Sequence, residues 1–363
     1  MLEKFSRQLA AAERLSDEQV GVAVEQLIDE RVSAATKADF LTELARKGET
    51  VEEIAAFARA LRAKSILPTL DAETRAREIL DVVGTGGDRL GTFNISTTAA
   101  IICAAAGVTV AKHGNRAATS QCGSADVLEA LGVPISLPPE QAAQSLRGLG
   151  FAFFFAPNYH PAFKNVAAAR KLCAERGQRT IFNYLGPLLN PARPSAMLVG
   201  VPRLDLCEPM ARVLQSLGVR RAMVVCGKVP SLKSKVQSPK SKVEISSEHR
   251  VLDELSTLGE NSVAEFYQDH GFHASILAMD HFPLQPATLE DLAGSDRQSN
   301  ARIVQALLRG EERGPKRDAV LLNTAAALMV AGRARTMAAG WDLAATVIDT
   351  GEALRKLNEL IRG

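Results

Sequence analysis

The clearest fold signal in this chain is the run Val82-Val83-Gly84-Thr85-Gly86-Gly87-Asp88-Arg89-Leu90-Gly91-Thr92-Phe93-Asn94-Ile95-Ser96-Thr97. The apolar segment that ends at Val83 predicts a buried parallel strand, and the residues from Ser96 onward predict a helix that ends at Gly107. Glycines between a strand and a helix let backbone N–H groups approach a ligand closely. Together with the N–H groups of the helix start, they predict an anion-binding loop. A tight turn without a ligand is the alternative.

Two common nucleotide-binding loops do not fit this glycine spacing. No Gly-Lys-Ser or Gly-Lys-Thr ends the loop, so it is not a P-loop. A dinucleotide-binding fingerprint would need a third glycine where Arg89 stands. The loop therefore predicts an anion without specifying a nucleotide.

A second strand–loop–helix unit follows directly. Val108–Ala111 predicts a strand, the segment from Lys112 to Asp126 is rich in basic and hydroxyl side chains, and a helix then runs from Val127 to Leu131. The carboxyl ends of neighbouring parallel strands form the crevice in which α/β proteins bind ligands. We therefore expect both loops to line one crevice.

Composition narrows the class of protein. The chain has 363 residues, 43 basic and 41 acidic side chains and a net charge of +2, which favours neither nucleic acid nor a membrane surface. Five cysteines at irregular spacing include no CxxC, so we expect reduced thiols in the cytoplasm and no zinc site. The charged amino terminus predicts no secretory signal, and no apolar run approaches membrane-spanning length.

The amino-terminal part predicts a helical domain, residues 1–70. Ser16-x-x-Gln19 and Thr50-x-x-Glu53 are capping boxes that precede apolar residues at helical spacing. We find no chemistry in this part of the sequence. The stretch from Pro68 to Asp71 is the expected boundary with a second domain, 71–363.

In the second part, strands and helices alternate as in a doubly wound α/β sheet. The predicted strands are 79–83, 108–111, 151–155, 196–200, 222–226 and 274–279. The last hundred residues predict helices at Asn300–Leu308, Asp318–Val330 and Asp342–Ile361. Residues Lys228–Arg250 contain a Ser/Lys-rich near-repeat, typical of a flexible insertion. A phosphate- or nucleic-acid-binding role for this insertion is the alternative.

Five motifs together resemble the anthranilate phosphoribosyltransferase family. They are Gly84-Thr85-Gly86-Gly87-Asp88, Asn94-Ile95-Ser96-Thr97, Lys112-His113-Gly114-Asn115-Arg116, Gly123-Ser124-Ala125-Asp126 and Arg179-Thr180-Ile181-Phe182-Asn183-Tyr184-Leu185-Gly186-Pro187-Leu188-Leu189-Asn190-Pro191. The resemblance covers nearly the whole chain. It implies an α/β fold of the nucleoside phosphorylase/phosphoribosyltransferase type, in which a small N-terminal helical domain supplies a homodimer interface and a larger parallel-sheet domain is catalytic.

The resemblance also implies the reaction. The 5-phosphoribosyl group of phosphoribosyl pyrophosphate (PRPP) would be transferred to anthranilate in tryptophan biosynthesis. The products would be N-(5-phosphoribosyl)anthranilate and pyrophosphate, with Mg²⁺ neutralising the leaving group. Catalysis would depend on positioning and electrostatic stabilisation. We identify no covalent nucleophile.

Specific residues follow from the same resemblance. The implied PRPP ligands are Gly84, Gly87, Asp88, Thr92, Asn94, Ile95, Ser96, Thr97, Lys112, His113, Gly114, Asn115, Arg116, Ala117, Ala118, Thr119, Ser120 and Ser124. The implied anthranilate ligands are Gly84, Asn115 and Arg170, and the implied Mg²⁺ ligands are Ser96, Asp253 and Glu254. Lys112, His113, Asn115 and Arg170 are the expected catalytic residues. His113 is expected either to orient its loop or to take the proton of the amine.

Some positions depart from the family pattern. Ala168-Ala169 precedes Arg170 where Pro-Val is usual, and Lys171–Gln178 holds three extra residues. Thr119 replaces a serine, and Gln121-Cys122 stands where Lys-Ser is common, so we expect slightly weaker binding of PRPP. A pyrimidine nucleoside phosphorylase is one alternative, against which the first loop and Arg170 speak. A relative that binds nucleic acid instead is the other, favoured only by the Lys-rich insertion.

Overall fold

The structure, a computed structural model, describes residues 1–117, 121–230, 250–268 and 271–363. Four helices come first: α1 Leu2–Ala10, α2 Asp17–Ile28, α3 Ala34–Lys47 and α4 Val51–Ala63. Both expected capping boxes are confirmed, since Ser16 caps α2 and Thr50 caps α4 with reciprocal hydrogen bonds. The Glu53 carboxylate also accepts from the Leu15 N–H at 2.9 Å, which ties the start of α4 to the segment before α2.

A mainly parallel sheet forms the larger part of the chain. Its strands are β1 Ile79–Gly84, β2 Thr109–Gly114, β3 Phe151–Phe155, β4 Ala196–Gly200, β5 Arg221–Val229, β6 Arg250–Leu252, β7 Asn261–Tyr267 and β8 Gly271–Leu277. The order is β3-β2-β1-β4-β5-β7-β8, with β6 paired to the end of β5. The first five strands are parallel, and β6, β7 and β8 pair antiparallel at one side. The predicted α/β class is confirmed.

Helices cover both faces of the sheet. They are α5 Ala72–Ala76, α6 Ile95–Ala105, α7 Ser124–Ala130, α8 Pro139–Leu149, α9 Ala156–Tyr159, α10 Lys164–Glu175, α11 Phe182–Leu185, α12 Cys207–Ser216, α13 Arg297–Leu308, α14 Pro315–Val330, α15 Met337–Asp349 and α16 Glu352–Arg362. Apolar residues of α6 and of α13 to α16 form the core on one face. Residues of α10, α12 and the four N-terminal helices share a core on the other. In the described ranges no helix is both long and apolar enough to cross a membrane.

Several boundaries differ from the sequence prediction. The helix expected over Asp342–Ile361 is two helices, because the chain turns at Gly351, which has a φ of +79°. Strand β7 was missed, and the strand expected at 274–279 begins at Gly271 and ends at Leu277. Of the predicted insertion, Lys228, Val229 and Arg250 belong to paired strands, and residues 231–249 lie outside the described residues.

Strand β2 is also longer than predicted, and this changes the setting of two site residues. Lys112 and His113 were expected on the loop, but they lie near the end of β2, where they pair in register with Phe153 and Phe154 of β3. Both are almost fully buried.

Candidate active site

The predicted loops meet at one cleft at the carboxyl ends of β1 and β2. The cleft encloses about 360 Å³. Its lining residues are Val83, Gly84, Thr85, Gly86, Asn94, Ser96, Thr97, Lys112, His113, Gly114, Asn115, Arg116, Ala117, Cys122, Gly123, Ser124, Ala156, His160, Phe163, Arg170, Phe182, Leu185, Gly186, Pro187, Leu189, Asp253 and Glu254. A larger pocket of about 590 Å³ lies between α12 and β8 but contains none of the predicted site residues.

Most of the predicted residues line this cleft, and a few do not. Those that line it include Gly84, Asn115, Arg170 and all three expected metal ligands. Gly87, Asp88, Thr92 and Ile95 are not among the lining residues, although Asp88 acts on the cleft through its charge. Ala118, Thr119 and Ser120 lie outside the described residues, so their expected contacts stay predictions.

The two loops are joined by a hydrogen bond from Asn94. Its side-chain Nδ2 donates to the Cys122 carbonyl at 3.2 Å, and its Oδ1 accepts from Asn300 Nδ2 at 3.0 Å. The first loop is further held where the Phe93 N–H donates to the Leu292 carbonyl at 3.1 Å. These hydrogen bonds therefore hold the two loops at a fixed distance from each other.

The Asp253 segment lies directly on the strand ends. The Gly86 N–H donates to Asp253 Oδ2 at 2.5 Å. This close approach requires glycine in the neighbouring strand, because a Cβ added to Gly200 would lie 1.6 Å from the Asp253 carbonyl oxygen. A Cβ on Gly84 would lie 2.9 Å from Asp253 Oδ2. The glycine loop and the acid pair thus form one packed unit.

Negative charge is concentrated beside this unit. Burial and then the charges of Asp88 and Glu254 raise the pKa of Asp253 well above its usual range. Burial raises the pKa of Glu254 to about 7, although Lys112 and hydrogen bonds from Ser96 favour its charged form. Carboxylates that repel one another in a buried site favour a bound cation.

The donor set fits Mg²⁺ held partly by a ligand. No group of three or more His, Cys, Asp or Glu side chains within the described ranges could hold a metal ion alone. Mg²⁺ commonly keeps several waters and is held by one or two carboxylates plus substrate phosphates. The Asp253–Glu254 pair, with the Ser96 hydroxyl beside it, meets that description.

Lys112 lines the cleft, but its ammonium group is bonded to the neighbouring strand β1. Its Nζ donates to the Val82 carbonyl at 2.6 Å, and burial lowers its pKa against the opposing charges of Asp81 and Glu254. The lysine is expected to supply positive charge to the site, and that expectation stays a prediction. In the structure its ammonium is held by the β1 carbonyl while the residue lines the cleft.

Asp81 and Asn190 support this lysine and were missed by the sequence analysis. Asp81 is fully buried in β1, and its Oδ2 accepts from Asn190 Nδ2 at 2.8 Å. Its Oδ1 accepts from the His113 N–H at 3.3 Å. Burial raises the pKa of Asp81 to about 6, opposed by Lys112. A single Asp within the otherwise apolar residues of β1 is the feature of the sequence that could have indicated this buried carboxylate.

Two buried histidines form the wall next to this network. The rings of His113 and His160 are 5.4 Å apart between centroids, edge to face, and the Nε2 atom of each has no hydrogen-bond partner. Burial, with smaller contributions from His160, Lys112 and Arg62, lowers the pKa of His113 to about 3. Burial lowers the pKa of His160 to about 4. Both rings are therefore neutral at pH 7.

The other end of the cleft is aromatic and carries Arg170. The Arg170 guanidinium lies over the Phe182 ring, 5.4 Å from its centroid, and desolvation lowers its pKa although it keeps solvent-exposed surface. Phe163 meets Phe182 edge to face at 5.7 Å and stacks on His160 at 5.1 Å. An arginine above aromatic rings suits a flat ligand that bears a carboxylate.

The Arg116 guanidinium forms ion pairs with two acidic residues of α7. It contacts Asp126 at 3.0 Å and Glu129 at 2.9 Å, and these partners raise its pKa. The Asp126 Oδ2 also accepts from the Ala117 and Gly123 N–H groups at 2.9 Å each. Arg116 and Asp126 therefore hold the second loop in shape.

The chain matches two family models. Residues 4–65 match the helical bundle domain of a glycosyl transferase family, and residues 76–232 and 229–354 match its a/b domain. Curated relatives named anthranilate phosphoribosyltransferase cover nearly the whole chain. The protein from Roseiflexus castenholzii is 44% identical over 98% of this chain and 96% of its own length. The one from Petrotoga mobilis is 40% identical over 99% and 96%.

Solved structures agree. Anthranilate phosphoribosyltransferase from Thermus thermophilus has a TM-score of 0.83 and 40% identity, covering 99% of this chain and 98% of that one. The enzyme from Saccharomyces cerevisiae in complex with PRPP and Mg has a TM-score of 0.82 and 27% identity, covering 99% and 97%. Fold, sequence and the order of the motifs lead to one conclusion: the chain belongs to the anthranilate phosphoribosyltransferase family.

Proposed function

We propose that this chain transfers the 5-phosphoribosyl group of PRPP to anthranilate, giving N-(5-phosphoribosyl)anthranilate and pyrophosphate, a step of tryptophan biosynthesis. The carrying observation is the cleft itself. It joins a glycine loop, an acid pair and an arginine over aromatic rings within about 360 Å³. The relatives named above carry this activity in their names.

Backbone N–H groups would bind the phosphates of the sugar donor. The first loop offers the start of α6, with Ser96 and Thr97, and the second loop offers Asn115 and Ser124. Such donors are fixed by hydrogen bonds before the ligand arrives, so little reorganisation is needed as charge develops on the departing pyrophosphate.

Asp253, Glu254 and Ser96 would hold Mg²⁺ together with the pyrophosphate oxygens. When bound, the ion neutralises charge on the leaving group. The raised pKa of Asp253 and of Glu254 in the protein alone supports this assignment, because a cation relieves their repulsion. A yeast relative has been solved with Mg bound.

Arg170 would orient anthranilate through its carboxylate, with the ring against Phe163 and Phe182. The amine lone pair then forms the bond to C1 of the ribose while the C1–oxygen bond breaks and its electrons leave with pyrophosphate. The product nitrogen then releases its extra proton to solvent water. Positioning the two reactants within one enclosed cleft supplies much of the rate enhancement.

His113 is better suited to positioning than to proton transfer. With a pKa near 3, its protonated form is strongly disfavoured at pH 7. Its main-chain N–H is held by Asp81, so the residue fixes the start of the second loop. Lys112 is proposed to contribute through its positive charge under the cleft, and Asn115 through contacts to both substrates.

A fluorescence assay tests the proposal. Purified protein with Mg²⁺, PRPP and anthranilate should lower anthranilate fluorescence as product forms, and chelation should stop the reaction. Absence of turnover together with salt-sensitive DNA binding would instead favour the nucleic-acid alternative. Turnover of phosphate with a pyrimidine nucleoside would favour the phosphorylase.

Arg170 offers a sharper test within the same assay. Arg170→Ala should raise the KM for anthranilate far more than the KM for PRPP. Arg176→Ala is the matched control, because that arginine follows the same helix and pairs with exposed Asp39. Equal effects on both substrates would refute the assigned role of Arg170.

We further propose a homodimer formed through a helical domain of residues 1–70, a catalytic domain of residues 71–363, and a cytoplasmic location. Cys103, Cys173, Cys207 and Cys226 are buried thiols that form no disulfide, which supports a reducing compartment. Light scattering of the full chain, with and without surface substitutions on α1 to α4, tests the dimer. A monomer at micromolar concentration would contradict it.

A further inference from the structure

Another pocket lies where α4 meets the α/β part of the chain. It encloses about 430 Å³, and Arg62, Arg75 and Arg193 line it together with Pro68, Pro194 and Leu217. None of its described lining residues is acidic. We call it the arginine pocket.

The three arginines come from separate segments, and hydrogen bonds hold the side chains of two of them. Arg62, in the last turn of α4, donates from Nε to the Leu188 carbonyl at 2.5 Å. Arg75, in α5, donates from Nη1 to the Ala192 carbonyl at 2.6 Å. Arg193 has a φ of +50°, a left-handed conformation that costs energy for a residue with a Cβ. The structure therefore brings three arginines to one pocket.

Their charge has no counter-ion in the described part of the chain. None of the three arginines forms an ion pair there. Arg62 is only 9% exposed, and its Nη2 has no hydrogen-bond partner. Burial and the charge of Arg193 lower the pKa of Arg62 to about 10, and the same two causes lower the pKa of Arg75. A buried guanidinium without an acceptor is costly, and a bound anion removes that cost.

We infer that the arginine pocket binds a phosphate group, at a site separate from the substrate cleft. Guanidinium forks match the geometry of phosphate oxygens, and three of them favour a dianion over a monovalent ion. The volume exceeds that of a single phosphate, so a phosphate ester also fits. Because Arg62 belongs to α4 and the other two arginines follow Pro68, a bound phosphate would link the N-terminal helices to the α/β part.

The site also touches the cleft through one contact. Leu188, held by Arg62, belongs to the 3₁₀ turn Gly186–Leu189, whose residues Gly186, Pro187 and Leu189 line the cleft. Binding at the arginine pocket should therefore alter the affinity of the cleft for its substrates, although the two sites share no ligand residues.

Phosphate titration of the full chain tests the inference. Calorimetry with inorganic phosphate, without Mg²⁺ and against chloride of equal ionic strength, should give binding that Arg193→Asn weakens at least tenfold. Asparagine tolerates the left-handed conformation, so this variant should fold normally. Arg75→Gln should weaken binding as well. Arg212→Ala, which removes a surface arginine paired with Glu208 on α12, should leave it unchanged.

The assay needs no turnover, so its result is independent of the proposed reaction. Ribose 5-phosphate, titrated into wild type and Arg193→Asn, distinguishes the two sources of the group. An Arg193-dependent gain over inorganic phosphate assigns an ester, and equal affinity assigns free phosphate. No measurable binding, or equal binding by wild type and both pocket variants, would overturn the inference.

Discussion

Replacing Gly200 by alanine should displace the Asp253 segment and reduce the activity of the cleft. A Cβ at this position would lie 1.6 Å from the Asp253 carbonyl oxygen and 2.3 Å from its carbonyl carbon. Both neighbours are main-chain atoms, so no flexible side chain can move aside. Ordinary contact begins at 3.4 Å, and the Asp253 segment must therefore retreat by roughly 1.8 Å.

This displacement removes two functions together. Asp253 would lose the hydrogen bond from the Gly86 N–H, and its carboxylate would leave the position proposed for Mg²⁺. Misplacement by about 1 Å in an active site costs on the order of 10²-fold, so kcat/KM should fall by at least ~100-fold, or about 2.7 kcal/mol. Overpacking should also cost about 1–3 kcal/mol of folding free energy.

The assay combines kinetics, Mg²⁺ dependence and thermal unfolding. Gly200→Ala should need more Mg²⁺ for half-maximal rate and should melt several degrees lower. Gly21→Ala is the matched control, because Gly21 lies inside α2 with no atom within 4 Å of an added Cβ. It should keep full activity and gain about 0.5–1 kcal/mol of stability. If Gly200→Ala keeps kcat/KM within twofold and an unchanged Mg²⁺ response, the packing argument is wrong.

Three further predictions concern the buried network and the chain beside it. The pKa values of His113 and His160 lie near 3 and 4 in the fold, below the usual 6.5, so their contribution to stability is full above pH 6.5 and declines as the pH falls toward 4. Urea unfolding at pH 7 and pH 5 should show a smaller loss for His160→Gln than for wild type; an equal loss contradicts this. Asp81→Ala leaves buried partners unpaired and should cost about 3–5 kcal/mol by thermal unfolding, against under ~0.5 kcal/mol for exposed Asp39→Ala. Replacing residues 231–249 by a short glycine linker should keep kcat/KM within twofold; a large loss would assign those residues a role in the reaction.

Local patterns were sufficient for the loops and most helices. The glycine loop before α6 and the capping residues Ser16 and Thr50 act on neighbours a few residues away, and their effects are visible in a short window of sequence. The division into α15 and α16 could have been predicted in the same way, since a glycine such as Gly351 between two helical segments commonly ends the first helix.

Long-range contacts were not available to such reasoning. Asp253 meets Gly86 across 167 residues, and Asp81 meets Asn190 across 109. The buried position of Lys112 depends on charges supplied by β1 and by the Asp253–Glu254 segment. Strand β7 was missed because Ser262 and Glu265 interrupt its apolar residues, so its short segment shows no clear apolar run. The resemblance to a family supplied the roles that spacing could not.

The pairing of β5 with β6 has a consequence for how this gene can change. Val229 and Arg250 are register partners, so the chain leaves the sheet and returns to it at adjacent positions. A change in the number of residues between these two points is therefore expected to leave the position of Asp253, three residues after Arg250, unchanged. Because the two paired strands fix both ends of this segment, it is a suitable place to insert additional sequence next to the candidate active site without displacing that site.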